Sequence, residues 1–358
     1  MGLLRVLVGS ALLAASLVPT AILGLRSLDD EPNYAFLPGS ASSASKRVVT
    51  GELERHRADG EFLFVTIGLQ GLNDLTLEMA KREPTVDLFT REQILGTKTR
   101  SEARKEDLQL MRYSKDFAAY VALKRLGFDV TLVDAGVVIE SLCLKQGSGG
   151  SCAEQSPAAG VLRPNDVIVR VNDAAVQLPA DIGGALKDFK PGDPARVTVR
   201  RGSDTLTVDV TLVLSSDGTR SIIGFVPSSS PPQSTRFELP KGVAIDSGDV
   251  GGPSAGLAFT LALLDELTPG ELTGGETVAV TGEIELDGRV GEIGGLRQKT
   301  VAVLRAGADV FLVPERQKAE AEREAAGTNL KVVGVATLDD ALEALTAIGG
   351  NAGSLATK

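Results

Sequence analysis

The sequence DSGDVGGPSAGLAFTLALLDEL, residues 246–267, places a serine, Ser254, among glycines and directly after Pro253. A serine hydroxyl at the start of an apolar helix can act as a nucleophile, because free main-chain amides there can hold a developing negative charge. Proline is favoured at the first helical position, so the pattern predicts a helix that begins at Pro253. The amides of Gly252 and Ser254 are the predicted donors to a substrate oxygen.

The pentapeptide GPSAG, residues 252–256, also fits G-x-S-x-G, the nucleophile turn of α/β-hydrolases. Those enzymes need a histidine after the serine in the chain. The single histidine here, His56, precedes Ser254 and lies in the polar, charged sequence ELERHRADGE. A Ser-His-Asp hydrolase of that kind is therefore excluded, and His56 is interpreted as a solvated loop residue.

A glycine-rich loop before a helix can instead bind phosphate. The Walker A pattern is G-x-x-x-x-G-K-[ST], and the nearest sequence, GGLRQKT, has Gln298 where the glycine before the lysine belongs. We therefore predict no ATPase motor and no nucleotide partner. One histidine and two cysteines do not make up a metal-ligand set, so neither a metal nor another cofactor is predicted.

Lys299 is the candidate base for Ser254. One face of the helix predicted for LRQKTVAVLRAGA carries residues spaced three and four apart: Leu296, Lys299, Val303 and Ala306. An amine on an apolar face near a helix N-terminus is desolvated and opposed by the helix dipole, and both effects favour its neutral form. The alternative is a lysine whose stem packs on the face while its amine reaches water.

These residues match a known family. The sequences DVGGPSAGLAF and TGEIELDGRVGEIGGLRQKTVAVLRAGADVFLVP resemble the proteolytic domain of Lon proteases, over roughly residues 220–348. The resemblance implies a Ser–Lys dyad, with Ser254 as nucleophile and Lys299 as base, and a supporting role for Thr281 near the lysine. ATP-driven Lon proteins carry aspartate three residues before the serine, where this chain has Gly251.

A second resemblance lies upstream, where β-branched runs of strand length fill residues 129–214. The sequences SPAAGVLRPNDVIVRVNDAAV and KPGDPARVTVRRG resemble the bacterial PDZ domain. This implies a small β-sandwich in which an extended peptide adds to a strand edge beside one helix. The groove strand is predicted at residues 136–141, with the amides of Gly136, Val137 and Val138 holding a peptide C-terminus. A PDZ fold used as a spacer or lid is the alternative.

The N-terminal sequence has an uncharged run over residues 6–25, close to the roughly 20 residues that a bilayer core requires. Arg5 precedes the run and residues 29–31 are acidic, which orients the rest of the chain away from the cytoplasm. We predict a single-pass membrane anchor over residues 1–27 and an extracytoplasmic catalytic domain at the cell membrane. A cleaved signal peptide is the alternative.

Two cysteines, Cys143 and Cys152, flank the flexible sequence LKQGSGGS. Outside the cytoplasm, two cysteines that close so short a loop favour a disulfide. Two free thiols are the alternative.

The predicted fold class is multidomain α+β, with a transmembrane helix, a PDZ-like β-sandwich and a Lon-type α/β domain. The predicted boundaries are an anchor over 1–27, a tether over 28–60, a mixed α/β segment over 61–128, a PDZ domain over 129–214, a Lon-type domain over 215–350 and a tail over 351–358. Within the Lon-type domain, EIELDGRVGEI predicts a β-hairpin with a type I′ turn at Asp287–Gly288.

The predicted function is an ATP-independent, extracytoplasmic serine endopeptidase that cleaves unfolded or flexible protein segments. The net charge of −10, with no basic stripe, argues against nucleic acid as a partner. The predicted partners are protein or peptide substrates, the membrane and, as the resemblance to Lon implies, further copies of the chain in a ring. The alternatives are a PDZ-based scaffold that binds proteins without cleaving them and a nucleotide-binding switch built on the glycine loop.

Overall fold

The structure is a computed structural model that describes residues 32–56, 58–146, 152–228 and 230–356. The anchor predicted over residues 1–27 lies outside these ranges. Across the described ranges, no helix combines the length and the apolar character that a membrane span needs.

The strands up to the middle of the chain are β1 (Tyr34–Ser43), β2 (Val48–Thr50), β3 (Glu61–Gly71), β4 (Asp87–Phe89), β5 (Thr131–Val133), β6 (Val137–Ser141), β7 (Cys143–Gln146), β8 (Cys152–Gln155), β9 (Val167–Val171), β10 (Ala174–Ala175), β11 (Pro194–Arg201) and β12 (Asp204–Thr211). The later strands are β13 (Val213–Leu214), β14 (Ser221–Ile222), β15 (Val226–Pro227), β16 (Arg236–Glu238), β17 (Val243–Ile245), β18 (Thr277–Val280), β19 (Glu283–Ile284), β20 (Val290–Gly291), β21 (Val310–Pro314) and β22 (Lys331–Val335).

The helices are α1 (Asp74–Ala80), α2 (Arg91–Leu95), α3 (Arg100–Arg125), α4 (Pro179–Leu186), α5 (Gly256–Leu267), α6 (Leu296–Ala306), α7 (Lys318–Glu324), α8 (Leu338–Thr346) and α9 (Gly353–Ala356). Short 3₁₀ turns lie at Ser45–Arg47, Pro157–Gly160 and Glu315–Gln317.

The larger sheet has the strand order β22-β21-β18-β3-β1-β4. Its first four strands are parallel, and β1 and β4 are each antiparallel to their neighbour. Successive residues of a strand face opposite sides of the sheet. Accordingly, Phe62 and Phe64 of β3 join the core that contains α3 and α5, whereas Leu63 and Val65 join the core that contains α6.

The tether predicted over residues 28–60 is corrected by the structure, in which residues 34–43 form β1 and residues 48–50 form β2. Serine, glycine and proline have low strand propensity, which is why the sequence indicated a linker. The strand forms because β3 pairs with it along its length and α6 packs on it. Pro38 lies where the register of this pairing shifts, a position that tolerates proline.

The segment predicted to precede the PDZ domain, residues 61–128, also belongs to the larger domain. It supplies β3 to the middle of the sheet and α3 to the core beside α5. The predicted tail is likewise corrected, because Ala352 and Leu355 are buried in the same core. The larger domain is therefore built from residues on both sides of the PDZ region.

The smaller sheet has the order β12-β11-β9-β6-β15, with β10 paired to β9. Its apolar core includes Ile168 and Val197, together with Ile182 of α4. The strand pair β5–β16, in which Val133 lies opposite Arg236, brings the two ends of this inserted region together. Because β15 lies beyond residue 214, this domain extends past the predicted boundary.

The predicted groove strand, residues 136–141, does not offer a free edge. Strand β6 pairs with β9 on one side and with β15 on the other, where the Ser228 amide donates to the Val138 carbonyl at 2.9 Å. A Cβ at Gly136 would lie 2.7 Å from Val167 Cγ1, so this backbone is closely covered. A peptide therefore cannot add to β6 as a further strand, and the edge of the sheet on this side is that of β15. Gly136, Val137 and Val138 do line a cavity of about 240 Å³ at the start of α4, and the binding of a peptide C-terminus by their amides stays a prediction.

The hairpin predicted for EIELDGRVGEI is confirmed by the pairing of β19 with β20. The predicted type I′ turn of this hairpin is not confirmed. A type I′ turn requires positive φ at both central residues, and of the predicted pair Gly288 has φ +85° whereas Asp287 does not have positive φ.

Cys143 and Cys152 are joined by a disulfide, with their Cα atoms 5.7 Å apart. The bond links β7 to β8, which pair as a hairpin. It thus lies in the PDZ domain and not in the larger domain.

Candidate active site

Ser254 lies in the turn before α5 and not within the helix. The helix begins at Gly256, after Ala255 as its N-cap, so the start predicted at Pro253 is three residues early. The Gly256 amide donates to the Pro253 carbonyl at 3.2 Å and closes a tight turn around the serine. The chain enters this turn through Gly252, whose φ of +82° is readily adopted by glycine.

The Gly252 amide, predicted to face a substrate oxygen, is already engaged. It donates to the carbonyl of Asp107 on α3 at 2.9 Å. Within the part of the chain that the structure describes, the amides of Ser254 and Ala255 have no acceptor. These two amides are therefore the candidate donors to a substrate oxygen in place of Gly252.

Lys299 is the fourth residue of α6 and is only 2% exposed. Leu296 and Val303 are buried with it, as the three- and four-residue spacing predicts, whereas Ala306 at the end of the helix is exposed. The alternative in which the lysine amine reaches water does not hold in this structure, because the amine is enclosed together with the apolar face.

The Lys299 amine connects the two other polar groups of the site. Its Nζ lies 2.7 Å from Ser254 Oγ and 3.1 Å from Thr281 Oγ1. The Thr281 hydroxyl donates to the Ser254 carbonyl at 3.2 Å, and the Gly282 amide donates to the same carbonyl at 2.9 Å. Because the Thr281 proton is used in that bond, its oxygen accepts from the lysine amine, which leaves the lone pair of a neutral amine to face Ser254.

Burial sets the charge of the lysine. It lowers the pKa of Lys299 from 10.5 to about 7, against a smaller raising effect of the Glu283 carboxylate. A substantial neutral fraction near neutral pH is what a lysine base requires. Burial in turn raises the pKa of Glu283, and the neighbouring Glu285 carboxylate adds to that rise.

The dyad opens into a cleft of about 910 Å³. The walls come from β1, β3, the start of α3 and the serine loop, with Ser40, Thr66, Arg104 and Gly251 among the lining residues. The contributions of β1 and α3 were not found from the sequence. No motif marks them, since both lie more than a hundred residues from Ser254 and act through position.

His56 lies at the opposite end of α5 from Ser254, where its amide donates to the Glu266 carbonyl at 2.8 Å. A role in the dyad is therefore excluded by its position. Among the residues with described side chains, no group of three or more His, Cys, Asp or Glu is arranged to hold a metal ion.

Comparison with known proteins assigns both domains. Residues 236–347 match the Lon protease (S16) C-terminal proteolytic domain, and residues 124–212 match the PDZ domain. The chain thus contains a Lon-type proteolytic domain, which is the domain of a serine peptidase, together with a PDZ domain. In the structure, residues 34–125 also belong to the proteolytic domain.

The similar proteins are Lon proteases. That of Desulfatibacillum aliphaticivorans is 40% identical over 94 residues, which are 26% of this chain and 11% of that protein. That of Phenylobacterium zucineum is 32% identical over 158 residues, or 43% and 19% of the two chains. This chain therefore spans less than a fifth of the length of these relatives.

A crystal structure of the PDZ domain of the SdrC-like protein from Listeria monocytogenes is 22% identical over 26% of this chain and 90% of that chain, with a TM-score of 0.22.

Proposed function

We propose that this protein is an ATP-independent serine endopeptidase in which Ser254 is the nucleophile and Lys299 is the general base. The observation that carries the proposal is the 2.7 Å approach of a buried lysine amine to a serine hydroxyl in an open cleft. The match of the surrounding domain to a serine peptidase domain supports it.

The neutral Lys299 amine accepts the proton of Ser254 as Oγ attacks the carbonyl carbon of the substrate. The amides of Ser254 and Ala255 donate to the oxyanion of the tetrahedral intermediate. The lysine ammonium then gives its proton to the leaving amine, the peptide C–N bond breaks, and an ester to Ser254 remains. Lys299 deprotonates a water that attacks this ester, which releases the acid and restores the serine.

The substrate class is inferred from the open cleft at the dyad. Residues 1–358 contain no Walker A motif, the signature of an ATPase that could unfold a substrate. We infer that the cleft receives unfolded, flexible or short chains. The PDZ domain is proposed to dock such segments along the outer edge of β15, because strand addition requires unpaired main-chain groups.

We further propose that the proteolytic domain lies outside the cytoplasm and is held at the membrane by residues 1–27. The uncharged run over residues 6–25 and its charge asymmetry support this topology. The disulfide between Cys143 and Cys152 also supports it, since such bonds persist in oxidising compartments. Assembly into a ring of identical subunits stays a prediction from the resemblance to Lon.

Substitution of the lysine by arginine tests the dyad. Arginine keeps the charge and much of the volume but does not lose its proton in proteins. We expect Lys299→Arg to be as inactive as Lys299→Met and Ser254→Ala, with a loss of at least about 100-fold in kcat on a fluorogenic peptide. Lys331→Arg, an exposed lysine on β22, is the matched control and keeps wild-type activity.

Near wild-type hydrolysis by Lys299→Arg would exclude Lys299 as the base. Wild-type protein that binds unfolded casein but cleaves neither casein nor peptides would favour the scaffold alternative. Circular dichroism of each variant shows whether a loss of activity accompanies a loss of fold.

A further inference from the structure

Helix α3 contacts the turn that carries Ser254 through a buried serine of its own. Ser114 is 4% exposed, and its hydroxyl donates to the Pro253 carbonyl at 2.8 Å. That carbonyl belongs to the peptide unit that joins Pro253 to Ser254. It also accepts the Gly256 amide at 3.2 Å, so the bond from Ser114 ties an already closed turn to the neighbouring helix.

The main chain of α3 holds the other side of the turn. The Gly252 amide donates to the Asp107 carbonyl at 2.9 Å. Directly before it, Gly251 packs so closely on α3 that a Cβ there would lie 2.9 Å from Asp107 Cβ, a distance that real Cβ atoms essentially never show. Arg104 adds a third contact, since its Nη2 donates to the Asp249 carbonyl at 2.5 Å.

These contacts are directed at main-chain atoms of the serine turn and differ from the apolar packing further along the same helix, where Phe117 and Leu123 enter the core. Lys299 belongs to α6, which packs on the opposite face of the sheet from α3. Thr281 contacts both the Lys299 amine and the Ser254 carbonyl, whereas the contacts from α3 reach the serine turn alone. The 2.7 Å distance between the two side chains therefore also depends on how α3 places the serine turn.

We propose that α3 is the positioning element of the nucleophile, with Ser114 and the main chain of Asp107 setting the place of Ser254 against Lys299. The inference rests on the proposed peptidase function. Loss of these contacts moves the serine turn and leaves the walls formed by β1 and β3 and the buried lysine in place. The expected effect is therefore on kcat and not on KM, because a displacement of about 1 Å in a reacting group can reduce a rate about 100-fold.

The first test compares two buried serines with the same bonding. Ser221 of β14 is also buried and donates to the Phe189 carbonyl at 2.8 Å, but in the PDZ domain. We expect Ser114→Ala to lower kcat on a short fluorogenic peptide about 10- to 100-fold, with KM within about twofold of wild type. Ser221→Ala loses an equivalent bond and keeps wild-type kcat. A Ser114→Ala enzyme with kcat within about twofold of wild type overturns the proposal.

The second test is a rescue. Gly251→Ala places a methyl group against Asp107 and is expected to lower kcat at least about 10-fold. Asp107→Gly removes the opposing Cβ but keeps the carbonyl that accepts from Gly252, so the double variant recovers most of the lost kcat. Asp107→Ala removes the carboxylate but keeps Cβ, and it does not rescue.

Full activity of Gly251→Ala, or equal rescue by Asp107→Ala and Asp107→Gly, contradicts the proposed contact. The proposed peptidase function and the proposed role of α3 can be refuted independently of each other. An inactive wild-type enzyme would refute the peptidase function, whereas an active wild type with unaffected variants would refute only the role of α3.

Discussion

The two domains place their proposed functional groups in opposite environments. In the proteolytic domain, Lys299 and Thr281 are almost completely buried and are joined to Ser254 by hydrogen bonds. In the PDZ domain, the proposed docking site is the outer edge of β15, two exposed residues long. The chemistry explains the difference, because a lysine base needs a dry site to be neutral, whereas strand addition needs unpaired main-chain groups.

The domains also differ in how the chain builds them. The PDZ domain is formed by one continuous stretch between β5 and β16, whereas the proteolytic domain combines residues 34–125 with residues 236–356. Substitutions in the PDZ domain are therefore expected to alter which substrates are bound. Substitutions in the proteolytic domain are expected to alter the rate constant of hydrolysis and its dependence on pH.

The largest expected effect separates the two cores. Phe62 of β3 is fully buried beside Val278, and Ile168 is fully buried in the PDZ domain. We expect Phe62→Ala to lower the free energy of unfolding by about 3–5 kcal/mol and to abolish peptide hydrolysis at 37 °C. We expect Ile168→Ala to destabilise the PDZ domain by about 2–5 kcal/mol while hydrolysis of short peptides continues.

Urea denaturation followed by circular dichroism, with a peptide assay on the same samples, measures both effects. Unchanged peptide hydrolysis by Phe62→Ala would contradict the assignment of residues 34–125 to the core of the proteolytic domain.

The next effect concerns pH. Because the pKa of Lys299 is about 7, kcat/KM on a short peptide should rise with pH through a midpoint near 7 as the amine loses its proton. Lys299→Arg should show no such rise. A wild-type profile whose midpoint lies near 10.5 would mean that the lysine is solvated in solution.

The same shift predicts a change in stability. The pKa of Lys299 is about 7 in the folded protein and 10.5 in a solvated chain, so the unfolded state binds more protons between these values. The stability that the wild type has lost by burying this amine is therefore regained as pH rises across that window. We expect the melting temperature of Lys299→Met, relative to wild type, to be highest near pH 7 and to fall towards pH 10.

A smaller effect is expected from removing the PDZ domain. Val133 and Arg236 lie opposite each other, so residues 134–235 can be replaced by Asn-Gly, which closes a two-residue hairpin turn. We expect cleavage of unfolded casein to fall about 10-fold, the equivalent of about 1.4 kcal/mol of docking. Hydrolysis of a short peptide should stay within about threefold of wild type, and equal losses on both substrates would argue against docking.

The smallest effect on hydrolysis is expected from removing the disulfide. The bond between Cys143 and Cys152 joins residues nine positions apart in the PDZ domain, for which chain entropy gives about 2–3 kcal/mol of stabilisation. Replacement of both residues by serine should lower the stability of the PDZ domain by up to that amount. The rate of short-peptide hydrolysis should not change, and a loss of rate would show that the two domains are coupled.

The candidate dyad could be found from the sequence because its signals are local. The apolar face around Lys299 follows from helical spacing, and the glycines around Ser254 mark a close approach of main chain. The partner of the Gly252 amide could not be found in this way. The Asp107 carbonyl would accept that bond whatever its side chain were, so the contact leaves no mark in the composition.

The sequence by itself determined the residue types of the site, the helix that carries Lys299 and the absence of a Walker A motif. Only the tertiary structure decided that β1 and β3 join the proteolytic sheet, that β15 covers the predicted groove strand, and that Ser114 contacts a turn 139 residues away. Strand pairing and main-chain hydrogen bonds are made by atoms that nearly every residue shares. Their partners are therefore chosen by where the packed elements lie in space.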